Sequence, residues 1–284
     1  MSRQKQVFYF LIAAVVLITL PLFALQIGQG PVRIMALALL YVLLALGLNI
    51  VVGYAGLLDL GFVAFYAVGA YMYALLASPH LSENFEGFKA MFPTGLHTPI
   101  WLVIPAAAGL AALAGVLLGT PVLKLRGDYL AIVTLGFGEI IRVFLNNLEH
   151  PVNITNGPRG LDRIDPMSIG VPGTDWVFSF GKAVDVFGFR IPSVTLYYWL
   201  FLALVVFSLV ICFRLENSRI GRAWMAIRED EIAAKAMGIN TRNMKLLAFG
   251  MGATFGGVSG AMFAAFQGFV SPESFSLMES VMIV

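Results

Sequence analysis

Cysteine, histidine and charge are all scarce in this chain of 284 residues. The single cysteine, Cys212, excludes a disulfide or a cysteine-based metal site within the chain. The histidines His80, His97 and His150 show neither metal-ligand spacing nor a Ser-His-Asp order, so nothing in the sequence argues for catalysis. Charged residues make up 12%, whereas a soluble domain carries about a quarter. The composition therefore indicates a membrane protein.

Two binding signatures are also missing. The chain has no G-x-x-x-x-G-K-[ST] phosphate loop, and its nearest glycine pattern, GMGATFGG at 250–257, lies inside an apolar run rather than after a strand. The net charge of +2 is small, and no basic run is interleaved with aromatic residues. These absences argue against nucleotide binding by this chain and against nucleic acid as a partner.

Long apolar runs are what the chain has instead. A helix needs about 20 apolar residues to cross a bilayer core, and seven runs approach or reach that length: 7–25, 34–52, 57–77, 100–119, 129–148, 195–213 and 246–270. An eighth run starts near Leu277 and is interrupted at Val284, so we expect further chain after it. The first run is longer than the apolar region of a signal peptide, which favours a membrane anchor over a cleaved leader. The sequence predicts an all-α, polytopic membrane protein with one domain over 1–284.

Basic residues orient these spans, because Lys and Arg are retained on the cytoplasmic side of short loops. The outer loop 149–194 holds four basic residues, and the shorter inner loop 214–245 holds seven. We therefore predict a cytoplasmic N-terminus. The inner segments then hold eleven of the eighteen basic residues: Arg3, Lys5, Lys124, Arg126, Arg214, Arg219, Arg222, Arg228, Lys235, Arg242 and Lys245.

The inner loop contains the stretch AIREDEIAAKAMGIN, 226–240, with three consecutive acidic residues. Acidic side chains favour the N-terminus of a helix, and Gly238 supplies a helix stop. Ile232, Ala236 and Ile239 fall on one face at helical spacing. The stretch predicts either a short amphipathic helix that binds a partner or a solvated tether between two spans.

Glycines and polar residues stand out within the spans. Gly252, Gly256 and Gly260 recur every four residues, a pattern typical of helix packing in membranes. The third span is so rich in glycine near Asp59 that either an irregular helix or close packing is expected: Gly53, Gly56, Gly61 and Gly69.

Four polar residues at membrane depth are candidates for a translocation path: Asn49, Asp59, Glu139 and Arg142. Asn49 also suits an interhelical hydrogen bond. Asp59 lies near the inner end of its span, where a solvated carboxylate is the alternative. Glu139 and Arg142 are three residues apart and can pair with each other, which is the simpler fate for buried ions.

The segment GRAWMAIREDEIAAKAMGIN, 221–240, resembles the cytoplasmic coupling region of the permease subunits of ATP-binding-cassette importers. The Ala-Ala-x-x-x-Gly core of that region matches Ala233, Ala234 and Gly238. Ile232 stands where the wider pattern has Glu. Three further stretches closely resemble one of the two permeases of branched-chain amino acid importers: GLNIVVGYAGLLDLGFVAFYAVGAYMYALL, LRGDYLAIVTLGFGEIIRVFLNN and FAAFQGFVSPESF. The similarity runs from about Leu46 to the end of the chain and is weakest between Gly157 and Ser193.

This resemblance implies the fold of an importer permease and a transport role without catalysis. It implies a bacterial inner-membrane subunit that works with a second permease, two ATPases and a periplasmic binding protein, with ATP and Mg²⁺ bound by the ATPases. The 149–194 loop would be periplasmic and the 214–245 loop would couple to an ATPase. The implied coupling residues are Arg228, Glu229, Asp230, Glu231, Ala233, Ala234 and Gly238.

Other classes stay open from the sequence. A urea or short-chain amide importer has closely similar permeases. A secondary transporter would need no ATPase and usually shows an internal repeat, which is not evident here. A structural or receptor-like membrane subunit would also fit the hydropathy.

Overall fold

The computed structural model describes residues 3–92, 96–122, 125, 127–170, 177–186 and 189–283. Lys124, Arg126 and Val284, which entered the predictions above, lie outside these ranges. The described chain is mostly helical, as predicted. Its α-helices are α1 Arg3–Ala24, α2 Gln29–Asn49, α3 Val63–Leu76, α4 His80–Asn84, α5 Glu86–Met91, α6 Ile100–Val122, α7 Asp128–Asn147, α8 Ser193–Glu216, α9 Arg219–Glu229, α10 Glu231–Ala236, α11 Thr241–Gln267 and α12 Leu277–Ile283.

Four apolar helices in the described ranges are long enough to cross a membrane: Gln29–Tyr54, Ile100–Val122, Ser193–Glu216 and Thr241–Gln267. They correspond to the second, fourth, sixth and seventh predicted spans. Of the other predicted spans, α3 has only 14 residues, fewer than the about 20 that cross a bilayer core. The α7 helix carries three charged residues, Asp128, Glu139 and Arg142, and is not among the four apolar helices. The structure thus gives four clear spans where the sequence predicted at least seven.

A break replaces the start of the third predicted span. The α2 helix continues into a π-helical turn at Ile50–Tyr54, and residues 55–62 are not helical before α3 begins at Val63. Gly56 has φ +67°, a conformation that glycine adopts without the steric cost of a Cβ. The run predicted from Leu57 therefore becomes helical only at Val63, and the irregular backbone expected near Asp59 is confirmed.

The α11 helix lies at the centre of the fold, packed against α6, α3 and α2. It is the most buried of the four apolar spans although it is the least hydropathic of them. Its glycines explain this difference. A Cβ on Gly260 would collide with the carbonyl oxygen of Tyr66 in α3, and one on Gly252 would lie 2.5 Å from Val51 Cγ2. A Cβ on Gly256 would lie 3.0 Å from Phe65 Cβ, so the stripe lets neighbouring backbones approach closely.

The 149–194 loop folds against one end of the helices and contains structure that the all-α prediction missed. Its described residues include two antiparallel strand pairs, β1 Ser168–Gly170 with β2 Val177–Ser179, and β3 Val184–Val186 with β4 Phe189–Ile191. Leu161 and Val270 exchange backbone hydrogen bonds of 2.8 and 2.9 Å. The Tyr197 hydroxyl accepts from Met167 N and donates to Ala265 O, which fixes the loop to the end of α11.

The loops assigned to opposite sides of the membrane lie at opposite ends of the helices. Arg33 at the start of α2 hydrogen-bonds Gln267 at the end of α11, which is the end covered by the 149–194 loop. At the other end, Arg228 of the 214–245 loop reaches Gly53 after α2. This arrangement matches the alternation of predicted outer and inner loops.

Candidate functional site

The predicted coupling segment forms two helices rather than one. The α9 helix begins after Ser218, whose Oγ accepts from Gly221 N at 3.1 Å. Asp230 is extended between α9 and α10, and its Oδ1 accepts from the backbone N–H groups of Ile232 (2.7 Å) and Ala233 (3.1 Å). Such a cap satisfies donors that a helix start leaves free. Asp230 and Glu231 thus begin a helix as expected, whereas Glu229 ends α9.

One side of this segment is fixed to the apolar helices. Trp224 is fully buried, and its Nε1 donates to Met244 O at 2.7 Å. Arg228 Nη1 donates to Gly53 O at 2.6 Å, so α9 is tied to the break after α2. Lys245 Nζ in α11 lies 2.8 Å from Glu231 Oε2 in α10, and its side chain is only 8% exposed. We call Arg228, Glu231, Ala234 and Lys245 the inner face of the segment.

The inner face corrects two expectations. Ala234 was expected to contact a partner, but it is 4% exposed within this chain. Glu231 was expected among the residues that couple to an ATPase, but it pairs with Lys245 within this chain. Neither feature follows from helical spacing, because both depend on how α10 folds back against α11. No pattern in the sequence marked Lys245 as the partner of Glu231.

The opposite side of α10 is open. Ile232 is 70% exposed and Met237 84% exposed, and Ala233 and Ala236 are exposed as well. We call these four residues the outer face. Ile239, predicted to share a face with Ile232 and Ala236, is only partly exposed, and Met237 was not anticipated. Exposed apolar side chains that form a patch mark a binding surface, and Ile232 and Met237 are candidates for one.

A cavity of about 250 Å³ separates the segment from the helix break and the start of α7. Ala55, Gly56, Gly127, Asp128, Arg228 and Lys245 are among the residues that line it. A Cβ on Gly56 would lie 2.8 Å from Arg228 Cγ, so glycine is needed where this arginine crosses the break. The segment therefore borders the non-helical stretch that follows α2.

Asn49 precedes the break, and Asp59 lies within it. Asn49 is exposed, and its side chain folds back on Gly53, where a Cβ would be 2.8 Å from Asn49 Cγ. Asp59 is 1% exposed, which rules out the solvated carboxylate considered above. Its Oδ1 accepts from Gly61 N at 2.9 Å, and its Oδ2 has no hydrogen-bond partner among the residues that the structure describes.

Glu139 and Arg142 form the ion pair that their spacing suggested. Arg142 Nε lies 3.0 Å from Glu139 Oε1 and 3.1 Å from Oε2. The pair is partly exposed on α7, whereas the buried Thr134 of that helix faces the break and accepts from Leu60 N. The four polar candidates therefore do not converge on one site. Within the described ranges, no group of three His, Cys, Asp or Glu side chains could hold a metal ion.

Comparison with known proteins gives a consistent family. The model of the branched-chain amino acid transport system / permease component family matches residues 30–284. The chain is 44% identical to the high-affinity branched-chain amino acid transport system permease protein LivM of Escherichia coli (strain K12) and 42% identical to LivM of Salmonella typhimurium. Both matches cover all of this chain and 63% of the relative.

A more distant match is the high-affinity branched-chain amino acid transport system permease protein LivH of Escherichia coli (strain K12). It is 25% identical, over 82% of this chain and 68% of that relative. No solved structure matches the chain significantly. The family model covers most of the sequence, and the identity to the LivM proteins is high over its full length. The chain therefore belongs to the family of permease components of branched-chain amino acid transport systems.

Proposed function

We propose that this chain is a membrane-spanning permease subunit of an ATP-driven, binding-protein-dependent importer of leucine, isoleucine and valine. The family model and the printed names of the LivM relatives support the substrate class. The apolar helices support a place in the bacterial inner membrane. The chain itself transports and does not catalyse; ATP and Mg²⁺ are bound by two ATPase subunits, and a second permease and a periplasmic binding protein complete the importer.

The observation that carries the mechanism is the two-sided coupling segment. Its inner face holds α10 to α11 through Glu231 and Lys245, and α9 to the end of the π-helical turn through Arg228, so a push on the segment is transmitted to membrane helices. Its outer face leaves Ile232 and Met237 exposed, which suits an apolar groove on an ATPase. Glu229 is exposed beside this face, and its charge sets the register of binding.

In this proposal, ATP drives transport by moving the coupling segments. An ATPase pair that closes on ATP moves the two coupling segments that it grips, and each segment moves the helix ends to which it is fixed. The break at 55–62 provides non-helical backbone at the point of attachment, and such breaks line cavities in transporters. At least seven spans, a cytoplasmic N-terminus and an outer 149–194 loop complete this assignment.

The test uses the full-length permease expressed with its genomic neighbours and reconstituted with the binding protein. We expect ATP-driven leucine uptake and recovery of two ATPases and a second permease. Met237→Ser removes one exposed apolar anchor, whose burial contributes about 2 kcal/mol, so ATPase affinity should fall about 30-fold. Met91→Ser is the matched control, because Met91 is 78% exposed at the other end of the molecule.

Three results would contradict the proposal. Uptake of urea or a short amide without leucine would replace the substrate class, and uptake without any ATPase would indicate a secondary transporter. Equal ATPase recovery with Met237→Ser and Met91→Ser would show that the outer face does not bind the ATPase. The orientation is checked at Lys235, which is exposed: Lys235→Cys should resist an impermeant thiol reagent in intact cells.

A further inference from the structure

Asp59 is the one acidic side chain that is buried among the described residues, at 1% exposure. It lies in the break and borders a cavity of about 10 Å³. The other residues around this cavity come from the end of the break and from α3, α6, α7 and α11: Gly61, Phe65, Leu118, Gly119, Val122, Thr134, Phe137 and Phe249. Described parts of this chain therefore enclose the carboxyl group, and no further segment or subunit is needed to cover it.

The hydrogen bonds around Asp59 leave its Oδ2 without a donor. Asp59 Oδ1 accepts from Gly61 N at 2.9 Å. Thr134 is the other residue at the cavity with a polar side chain, and its Oγ1 accepts from Leu60 N and donates to Ala131 O, both at 3.0 Å. A threonine hydroxyl has one proton to give. Thr134 therefore has none left to stabilise a negative charge on Oδ2.

No cation within the described ranges balances a charge on Asp59. The α3 and α6 helices contain no charged residue, and none of the α3 tyrosines lines the cavity. The charged side chains of α7, α11 and α12, and Arg228 beside the break, are exposed or bonded elsewhere: Asp128 and Arg242 at the surface, Glu139 with Arg142, Lys245 with Glu231, Glu279 with Tyr41, and Arg228 with Gly53. A carboxylate buried without a partner is costly, and such a group takes up a proton instead.

The cavity is too small and too apolar to supply a metal ion as the balancing charge. A water molecule needs about 10–15 Å³ and two to four polar partners, so the space is at the lower limit for a single water. Metal cations that bind oxygen take about six ligands, whereas the side chains around this cavity offer only those of Asp59 and Thr134. A proton fits this space without further ligands.

We propose that Asp59 is a proton-binding site: its Oδ2 carries a proton while the break is packed against α7, and the proton is released when the break opens to water. The packing is close, because a Cβ on Gly61 would collide with the carbonyl oxygen of Thr134. Arg228 ties the coupling segment to Gly53, just before the break, so the proton favours one arrangement of the backbone beside that segment. The inference concerns this chain alone and does not depend on the proposed function.

Infrared spectra of the full-length permease, in the complex in which it is isolated, test the protonation directly. At neutral pH the wild type should show the C=O stretch of a buried carboxylic acid, and Asp59→Asn should remove it. Asp128→Asn is the matched control, because Asp128 is exposed, and it should leave that band unchanged. Loss of a carboxylate band with Asp59→Asn, and of no carboxylic acid band, would overturn the proposal and indicate a water or a cation beside an ionised Asp59.

The unfolding temperature as a function of pH is a second measurement. Asp59→Asn keeps the shape of a neutral carboxyl group and cannot ionise, so it should match the wild type at acidic pH. As the pH rises, the wild type should become less stable than Asp59→Asn, because the carboxyl group ionises more readily in the unfolded chain than in the buried site. A wild type that is instead more stable than Asp59→Asn at neutral pH, and loses that advantage on acidification, would contradict the proposal.

Thiol labelling at Leu57 tests whether release of the proton opens the break. Leu57 is 6% exposed, so Leu57→Cys in a Cys212→Ala background should react only when the break opens. Between acidic and alkaline pH, labelling should increase at least tenfold more with Asp59 present than in the Asp59→Asn variant, which corrects for ionisation of the thiol itself. Equal pH profiles for the two proteins would show that Asp59 does not control the break.

Discussion

The α10 residues of the inner face and those of the outer face lie on one short helix and differ in what covers them. Ala234 on the inner face is 4% exposed and its neighbour Ala233 is exposed, although both belong to the motif that suggested coupling. The inner face is completed by Glu231 and Lys245 from this chain. The outer face has no comparable cover within the described residues that pack on α10. Adjacent residues of one motif can therefore serve folding and binding separately.

The largest effect is expected from a charge at Ala234, compared with the same charge at Ala233. Ala234→Asp places a carboxylate in a space that is closed within the chain, and burying an unpaired charge is among the most destabilising single changes. We expect a loss of about 2 kcal/mol or more in the free energy of unfolding, or release of α10 from α11. The measurement is the unfolding temperature of the purified permease, with limited proteolysis near α10 as a local readout.

Ala233→Asp is the matched control for that prediction, because it introduces the same carboxylate one residue away on the outer face. Exposed substitutions usually change stability by less than about 0.5 kcal/mol, so the fold should be unchanged. ATPase recovery should still fall, since a charge would enter the apolar contact. Equal destabilisation by the two variants would show that the faces are not distinct.

A smaller effect is expected from the ion pair on the inner face. Glu231→Ala leaves the Lys245 ammonium buried without its carboxylate partner. Breaking a fully buried pair costs about 3–5 kcal/mol, and the 29% exposure of Glu231 reduces this, so we expect about 1–2 kcal/mol. The measurement is the same unfolding transition, followed for the single and double variants.

The double variant sharpens this prediction. Adding Lys245→Met to Glu231→Ala removes the stranded charge and fills the space with an apolar side chain of similar length. Replacing a buried pair with apolar residues is often neutral, so most of the lost stability should return. Additive losses in a double-mutant cycle would mean that the pair contributes nothing to holding α10.

The parts of this architecture that the sequence predicted are those set by local pattern. Long apolar runs located α2, α6, α8 and α11, because length and hydropathy alone decide whether a helix can cross a bilayer. The four-residue spacing of Gly252, Gly256 and Gly260 identified a packing face, because that spacing places the glycines on one side of a helix. Asp230 was expected at a helix start because its carboxylate accepts from free backbone N–H groups.

The remainder depends on contacts between distant residues, which local pattern does not encode. Arg228 and Gly53 are 175 residues apart, and the side of α10 that is buried is set by its docking on α11. A solvated carboxylate was considered for Asp59 because the residue lies near the end of an apolar run. In the structure, Asp59 lies within the break and is buried beside α7. Gly56 and Gly61 marked the irregular backbone, but they did not indicate where α3 would begin.

The smallest expected effect on stability concerns Gly238, the last residue of the motif. Its φ is +85° and a Cβ there would meet nothing within 4 Å, so a substitution has space and strains only the backbone. Gly238→Ala should cost about 1 kcal/mol, and Gly238→Asn less, because asparagine tolerates left-handed backbone. Gly238→Leu should match Gly238→Ala in unfolding temperature. If an ATPase packs beside this turn, Gly238→Leu should lose ATPase association and leucine uptake well beyond Gly238→Ala. Equal association for the two variants would place the partner elsewhere, with Gly238 needed only to end α10.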